Sequence, residues 1–230
     1  MKDAARERVE KELSGWQYLE DLPEEWHGFL LRRDVRVEGD VYDIYSYVKE
    51  SAHRSITAYF HEETREYKVR VRIGLIEFCH IEFVTGDFKM FGELLKQHFE
   101  PALRDLAEFN PKTLTSLLLD KGIMEWEYGK KLPESMEGFA LFLRPTEPVR
   151  IANGSYVIFD YVDFGISSSF DIYYNIFRDE FFGEARIRNV PVVTYSFDSG
   201  DLSELETKLE AGMRPYLGEI RQRAEEEGTK

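Results

Sequence analysis

The chain is written twice, so whatever fold it adopts must be satisfied by both copies. Val35 to Leu103 aligns with Val149 to Leu217 at a constant offset of 114, without a gap, and 17 of the 69 pairs are identical. Many of the remaining pairs exchange one apolar residue for another. Upstream, at an offset of 110, Trp16, Tyr18, Leu22, Pro23, Glu24, Gly28, Phe29 and Leu31 recur as Trp126, Tyr128, Leu132, Pro133, Glu134, Gly138, Phe139 and Leu141. A length of 230 residues allows one large domain or two of roughly 100–115. The repeat selects two, 1–107 and 108–230. Features kept in both copies specify the fold, and chemistry present in one copy marks a specialisation.

Each copy opens with a short helix. Ala4 to Leu13 is helix-prone and Gly15 can close it; in the second copy Asn110 caps, Pro111 suits the first helical position, Lys112 to Lys121 form the body and Gly122 ends it. Strands follow. Val41 to Lys49 and Ser155 to Asp163 carry β-branched and aromatic residues on both faces, as expected of strands covered on both sides. Arg54 to His61 and Tyr67 to Gly74 flank a polar turn and read as a hairpin. Val69, Val71 and Ile73 point to one side and Lys68, Arg70 and Arg72 to the other. Phe78 to Val84 alternates as well, and pairing Ile73 with Cys79, Val71 with Ile81 and Val69 with Phe83 keeps the inward pairs apolar and sets Arg72 by His80 and Arg70 by Glu82. Ile187 with Val193, Ala185 with Tyr195 and Gly183 with Phe197 are the second-copy counterparts. Cys79 then faces the core. Asp87 and Asp201 cap helices whose apolar residues recur at helical spacing, from Phe88 to Leu106 and from Leu202 to Ile220, with Glu204 completing a capping box. Pro101 and Pro215 should kink or split these helices, and Arg221 to Lys230 reads as a fraying tail.

The expected fold is α+β: an antiparallel meander, then a long C-terminal helix packed on the sheet, then the same again, as a pseudo-twofold pair. This arrangement resembles that of whirly-type single-stranded-DNA-binding proteins and, more distantly, the duplicated saddle of the TATA-binding protein. The likeness is one of architecture, with no lysine-rich whirly signature, and fold alone does not imply activity.

A net charge of −14 opposes non-specific nucleic-acid binding. With one cysteine, neither an internal disulfide nor a cysteine-built metal site can form. No signal-peptide core or apolar run of about 18 residues occurs, so a cytoplasmic protein with no membrane partner is expected. All five histidines, His27, His53, His61, His80 and His98, lie in the first copy. His61 and His80 are expected on the polar sheet face with Tyr59, Glu82 and Arg72, without the spacing of a metal site. On that face Lys68, Arg70, Arg72, Tyr59 and His80 form the basic and aromatic mixture used to hold single strands. Tyr45, Tyr47, Phe159 and Tyr161 either line a ligand-holding cleft between the copies or join them. Asp160 with Asp163 reads as strand-end carboxylates. These residues predict a non-catalytic binding or adaptor module with no cofactor, monomeric or homodimeric, engaging a protein or small molecule through a sheet face or the aromatic cleft. The alternatives are a single-stranded nucleic-acid-binding protein and a metal-dependent or histidine-based enzyme on the first copy.

Overall fold

A computed structural model describes residues 1–151 and 154–228. The chain divides into two compact units, the first Met1–Phe109 and the second from Asn110 onward. Among the described residues each unit carries one antiparallel seven-stranded sheet. No described helix is long and apolar enough to cross a membrane.

The first unit runs α1 (Asp3–Leu13), α2 (Gln17–Glu20), β1 (Glu25–Trp26), β2 (Phe29–Arg32), β3 (Arg36–Glu38), β4 (Val41–Lys49), β5 (Arg54–His61), β6 (Glu66–Ile73), β7 (Ile76–Thr85) and α3 (Phe88–Ala107). The second runs α4 (Ser116–Asp120), β8 (Ser135–Met136), β9 (Phe139–Leu143), β10 (Val149–Arg150), β11 (Ser155–Asp163), β12 (Ser168–Asn175), β13 (Glu180–Ile187), β14 (Val190–Ser199) and α5 (Leu202–Gly228). Strand order is β1-β2-β4-β5-β6-β7 with β3 beside β4, and β8-β9-β11-β12-β13-β14 with β10 beside β11. The two topologies are the same.

The duplication extends to the backbone. His27 and Glu137 take φ of 51° and 50°, His53 and Ser167 both 49°, and Arg65 and Asp179 57° and 52°, each pair at equivalent positions. A left-handed φ on a non-glycine residue is disfavoured, so its recurrence reports a turn that the fold demands rather than a local preference. The cores compensate volume in the same way. Ala58 pairs with Val69 where Ile172 pairs with Gly183, and Ile56 with Val71 where Phe170 pairs with Ala185. One partner grows as the other shrinks, as close packing requires. A Cβ on Gly183 would lie 3.1 Å from Thr194 and 3.2 Å from Phe197. Tyr47 and Tyr161, both buried, each donate a 2.7 Å hydrogen bond to a proline carbonyl, of Pro23 and Pro133 respectively.

Val69, Val71 and Ile73 are buried, as their alternation predicts. The long helices cover that face with Phe91, Leu95, Phe99 and Leu103, and with Leu205, Leu209, Met213 and Leu217. Asp87 accepts from Met90 N at 2.8 Å; Asp201 accepts from Glu204 N at 2.9 Å, while Glu204 reaches back to Gly200 N at 3.0 Å, one residue before the cap, so the expected capping box forms one residue off. Neither Pro101 nor Pro215 splits its helix. The helix expected over Lys112 to Lys121 is broken instead: a 3₁₀ turn at Pro111–Thr113 precedes α4, because the Thr115 hydroxyl caps Leu118 N and restarts the helix.

Two further expectations fail. The segment from Arg221 is no fraying tail through Gly228, since α5 continues and Arg221 binds Asp163 Oδ2 and the Glu137 carbonyl oxygen, both at 2.6 Å, while Ala224 is buried. Thr229 and Lys230 lie outside the described residues. The pairing of the last two strands also differs in both copies. Ile73 pairs with Ile76 across a two-residue turn at Gly74 and Leu75, and Ile187 pairs with Val190 across Arg188 and Asn189. Positive φ at Gly74 (60°), or at Arg188 (50°) and Asn189 (67°), makes these tight turns. The register therefore becomes Val71 with Phe78, Arg70 with Cys79, Val69 with His80 and Arg72 with Glu77. Cys79 moves to the face opposite the helix, and His80 to the helix side against Phe78 and Phe83. In the second copy Ala185 meets Val192 and Gly183 meets Thr194.

Phe83 and Phe197 still reach the core because both last strands bulge. Four residues, Ile81 to Val84, stand opposite the single residue Lys68, and Tyr195 to Asp198 stand opposite Phe182. Such an excess changes which face the following side chains take.

Candidate functional site

On the face away from the helix, the first sheet presents a row running Ser46, Thr57, Arg70, Cys79 across β4 to β7. Ser46 and Thr57 share a hydroxyl hydrogen bond of 2.9 Å. Arg70 Nη2 donates to both oxygens of Asp43 at 2.8 and 2.7 Å and lies over the Tyr59 ring, 5.1 Å from its centroid. Burial raises the Asp43 carboxyl above the usual carboxylate range, opposed by Arg70. The Tyr59 hydroxyl lies 3.0 Å from Cys79 Sγ, and burial, with that contact, pushes the phenol up.

Of the residues singled out in the sequence, Tyr59, Lys68, Arg70 and Arg72 share this face, while His80 does not. The basic members carry acids of their own: Lys68 holds Glu66 at 2.9 Å, Arg70 holds Asp43, and Arg72 holds Glu77 at 2.6 Å. The sheet face is locally neutral. Tyr45, Tyr47, Phe159 and Tyr161 are all buried. Tyr45 and Tyr47 meet Phe99 of α3 at 5.3 and 5.8 Å between centroids, and Phe159 and Tyr161 belong to the cluster that contains Leu205, Leu209 and Leu217 of α5. Their rings pack the core of their own unit.

The histidines are dispersed. His27 contacts Glu100 at 2.7 Å, His61 contacts Thr64 at 3.0 Å, and His80 and His98 lie against Phe83. Among the described residues no group of three histidine, cysteine or acidic side chains is placed to hold a metal ion. The His27–Glu100 pair has a counterpart with the acid on the other partner: the equivalent residues Glu137 and Arg214 meet at 2.6 Å. A contact that recurs between different residue types belongs to the shared fold.

Sequence reasoning missed two features. The first is the edge strand. β7 and β14 each end their sheet, and the bulges leave Ile81 67% and Tyr195 78% exposed at equivalent positions. Val193, two residues before Tyr195, and Val190, at the start of β14, are exposed as well. The second is an acidic row in the second sheet, Asp160, Asp171, Glu184, Val193, occupying the positions of Ser46, Thr57, Arg70 and Cys79. A two-residue turn signal at Arg188 and Asn189 could have exposed the first. The second needed the β11–β12 register, which a shift between Val157 and Phe159 hides.

Comparison with protein-family models, curated proteins and solved structures finds no match.

Proposed function

We propose that the chain is a non-catalytic binding or adaptor module that receives an extended stretch of a partner polypeptide along the bulged edge strands β7 and β14. The supporting observation is the repetition of one device: each copy interrupts its last strand at the same place and there exposes a large apolar side chain, Ile81 or Tyr195. Edge strands are ordinarily guarded by charge, proline or a bulge. β7 keeps the guards Glu77 and Glu82; β14 keeps a guard, Pro191, at the first of these positions and has the neutral Ser196 at the second. From Val190 to Phe197 the second edge carries no charge in a chain that is 32% charged. Main-chain pairing along such an edge supplies affinity, and alternate side chains supply selectivity.

A photo-crosslinking residue placed at 195, at 81, or at the exposed helical position Lys96 as control tests this in the source cells. A discrete polypeptide captured from 195 or 81, absent from 96 and lost when Val193 is changed to Lys, is the expected result. Equal labelling from all three positions, or none, contradicts it. The single-strand reading is checked with labelled oligonucleotides at low salt, where the engaged Arg70 and Arg72 lead us to expect no salt-dependent binding.

A further inference from the structure

Three acids meet one base on the outer face of the second sheet. Asp160 on β11, Asp171 on β12 and Glu184 on β13 lie side by side across three adjacent strands. Arg186, on β13, donates from Nη1 to Asp171 Oδ2 at 2.6 Å and from Nη2 to Glu184 at 2.8 Å. Ser169 Oγ adds a 3.3 Å bond to the same Asp171 oxygen. Asp160 and Asp171 are fully buried, and among the described residues both oxygens of Asp160 and Oδ1 of Asp171 have no donor. β9 sets Leu143 opposite Asp160, β14 sets Val193 opposite Glu184, and the Tyr173 hydroxyl of β12 accepts from Arg186 Nη1 at 3.5 Å. Two ionised carboxylates side by side with a single shared cation would leave one buried charge uncompensated, which is among the costliest arrangements in a protein. A proton held between them removes the charge and fills the missing hydrogen bond at once.

We infer that Asp160 and Asp171 share a single proton across β11 and β12 at neutral pH, and that its release at higher pH is a built-in switch that loosens the second unit. The inference is independent of the edge-strand reading. Burial first, and then the neighbouring Asp171, hold the Asp160 carboxyl well above the carboxylate range, and burial pushes Asp171 up to about 6 against the pull of Arg186. The sign follows from linkage. A carboxyl raised in the folded state keeps its proton after the unfolded chain has released it, so stability is full below the ordinary aspartate range and declines as pH rises through about 6 and beyond. In the first unit the same two places hold Ser46 and Thr57, which do not titrate in this range.

The full chain with ¹³C-labelled aspartate carboxyls tests this by NMR between pH 5 and 9. At pH 7 one aspartate resonance should sit at the protonated position and vanish in Asp160→Asn. Amide exchange in β12, corrected for its intrinsic rise with pH, should accelerate about tenfold or more between pH 6 and 9, which corresponds to one unit of pKa difference, while β5 stays level; Asp160→Asn should remove the acceleration. Should that variant not fold, the double change D160S/D171T installs the neutral pair of the first unit and is read in the same way. Every aspartate ionised at pH 7 in the folded wild type, or β5 and β12 accelerating alike, overturns the inference.

Discussion

Ser46 and Thr57 in the first unit and Asp160 and Asp171 in the second hold the same two places on the same two strands. The first pair closes a neutral hydrogen bond, and the second buries two carboxyls beside one guanidinium. The faces toward the long helices show the reverse behaviour. There Tyr47 and Tyr161 keep one hydrogen bond, Phe83 and Phe197 keep one position, and substitutions exchange volume between partners. Packing constrains one side of each sheet in both copies, because a core tolerates conserved volume and little else. The other side is where the copies have diverged.

Removing the base should break the comparison most strongly. Arg186→Met leaves Asp171 and Glu184 without their cation on a buried surface and should cost about 3–5 kcal/mol, whereas Arg72→Met, at the equivalent exposed place, should cost about 0–1 kcal/mol. Denaturant titration of the two variants checks both figures, and equal losses would mean that the outer faces are energetically alike. Next come the shared struts: Tyr47→Phe and Tyr161→Phe should each cost about 1 kcal/mol, since each deletes one hydrogen bond to a carbonyl. A large difference between these two would show that the cores are not equivalent. The His27–Glu100 contact offers a finer test. Glu100→Arg should cost about 0.5 kcal/mol or less and His27→Glu in the same chain should restore it, transplanting the Glu137–Arg214 arrangement. Ile81→Lys and Tyr195→Lys should change stability by less than about 0.5 kcal/mol, which leaves both variants usable for binding experiments.

Much of the architecture was legible in the sequence. Gap-free self-alignment, β-branched and aromatic runs, and capping residues placed β4, β5 and β11 at their observed bounds and both long helices at their observed starts. The register of the last hairpin was not legible, because apolar residues at 76, 78, 81 and 83 satisfy two pairings and alternation cannot see an excess of residues in one strand. That one ambiguity sent Cys79 to the core and His80 to the polar face. Tyr45, Tyr47, Phe159 and Tyr161, expected to line a cleft or join the copies, pack inside their own units, because periodicity does not tell which neighbour a buried ring meets. The acidic row was hidden for a related reason: Asp160 and Asp171 are 11 residues apart in sequence and become neighbours only through a strand pairing that contains a shift.

The place of Cys79 in the first sheet's row rests on the pairing of β6 with β7, and the native thiol reads that pairing directly. With Arg70 directly opposite Cys79, the variant Arg70→Cys should oxidise to an intramolecular disulfide, since opposed residues of an antiparallel pair lie within reach of one another, while Ile73→Cys should keep both thiols free. Crosslinking in Ile73→Cys and none in Arg70→Cys would return Cys79 to the core side and contradict the register on which the outer face of the first sheet is read.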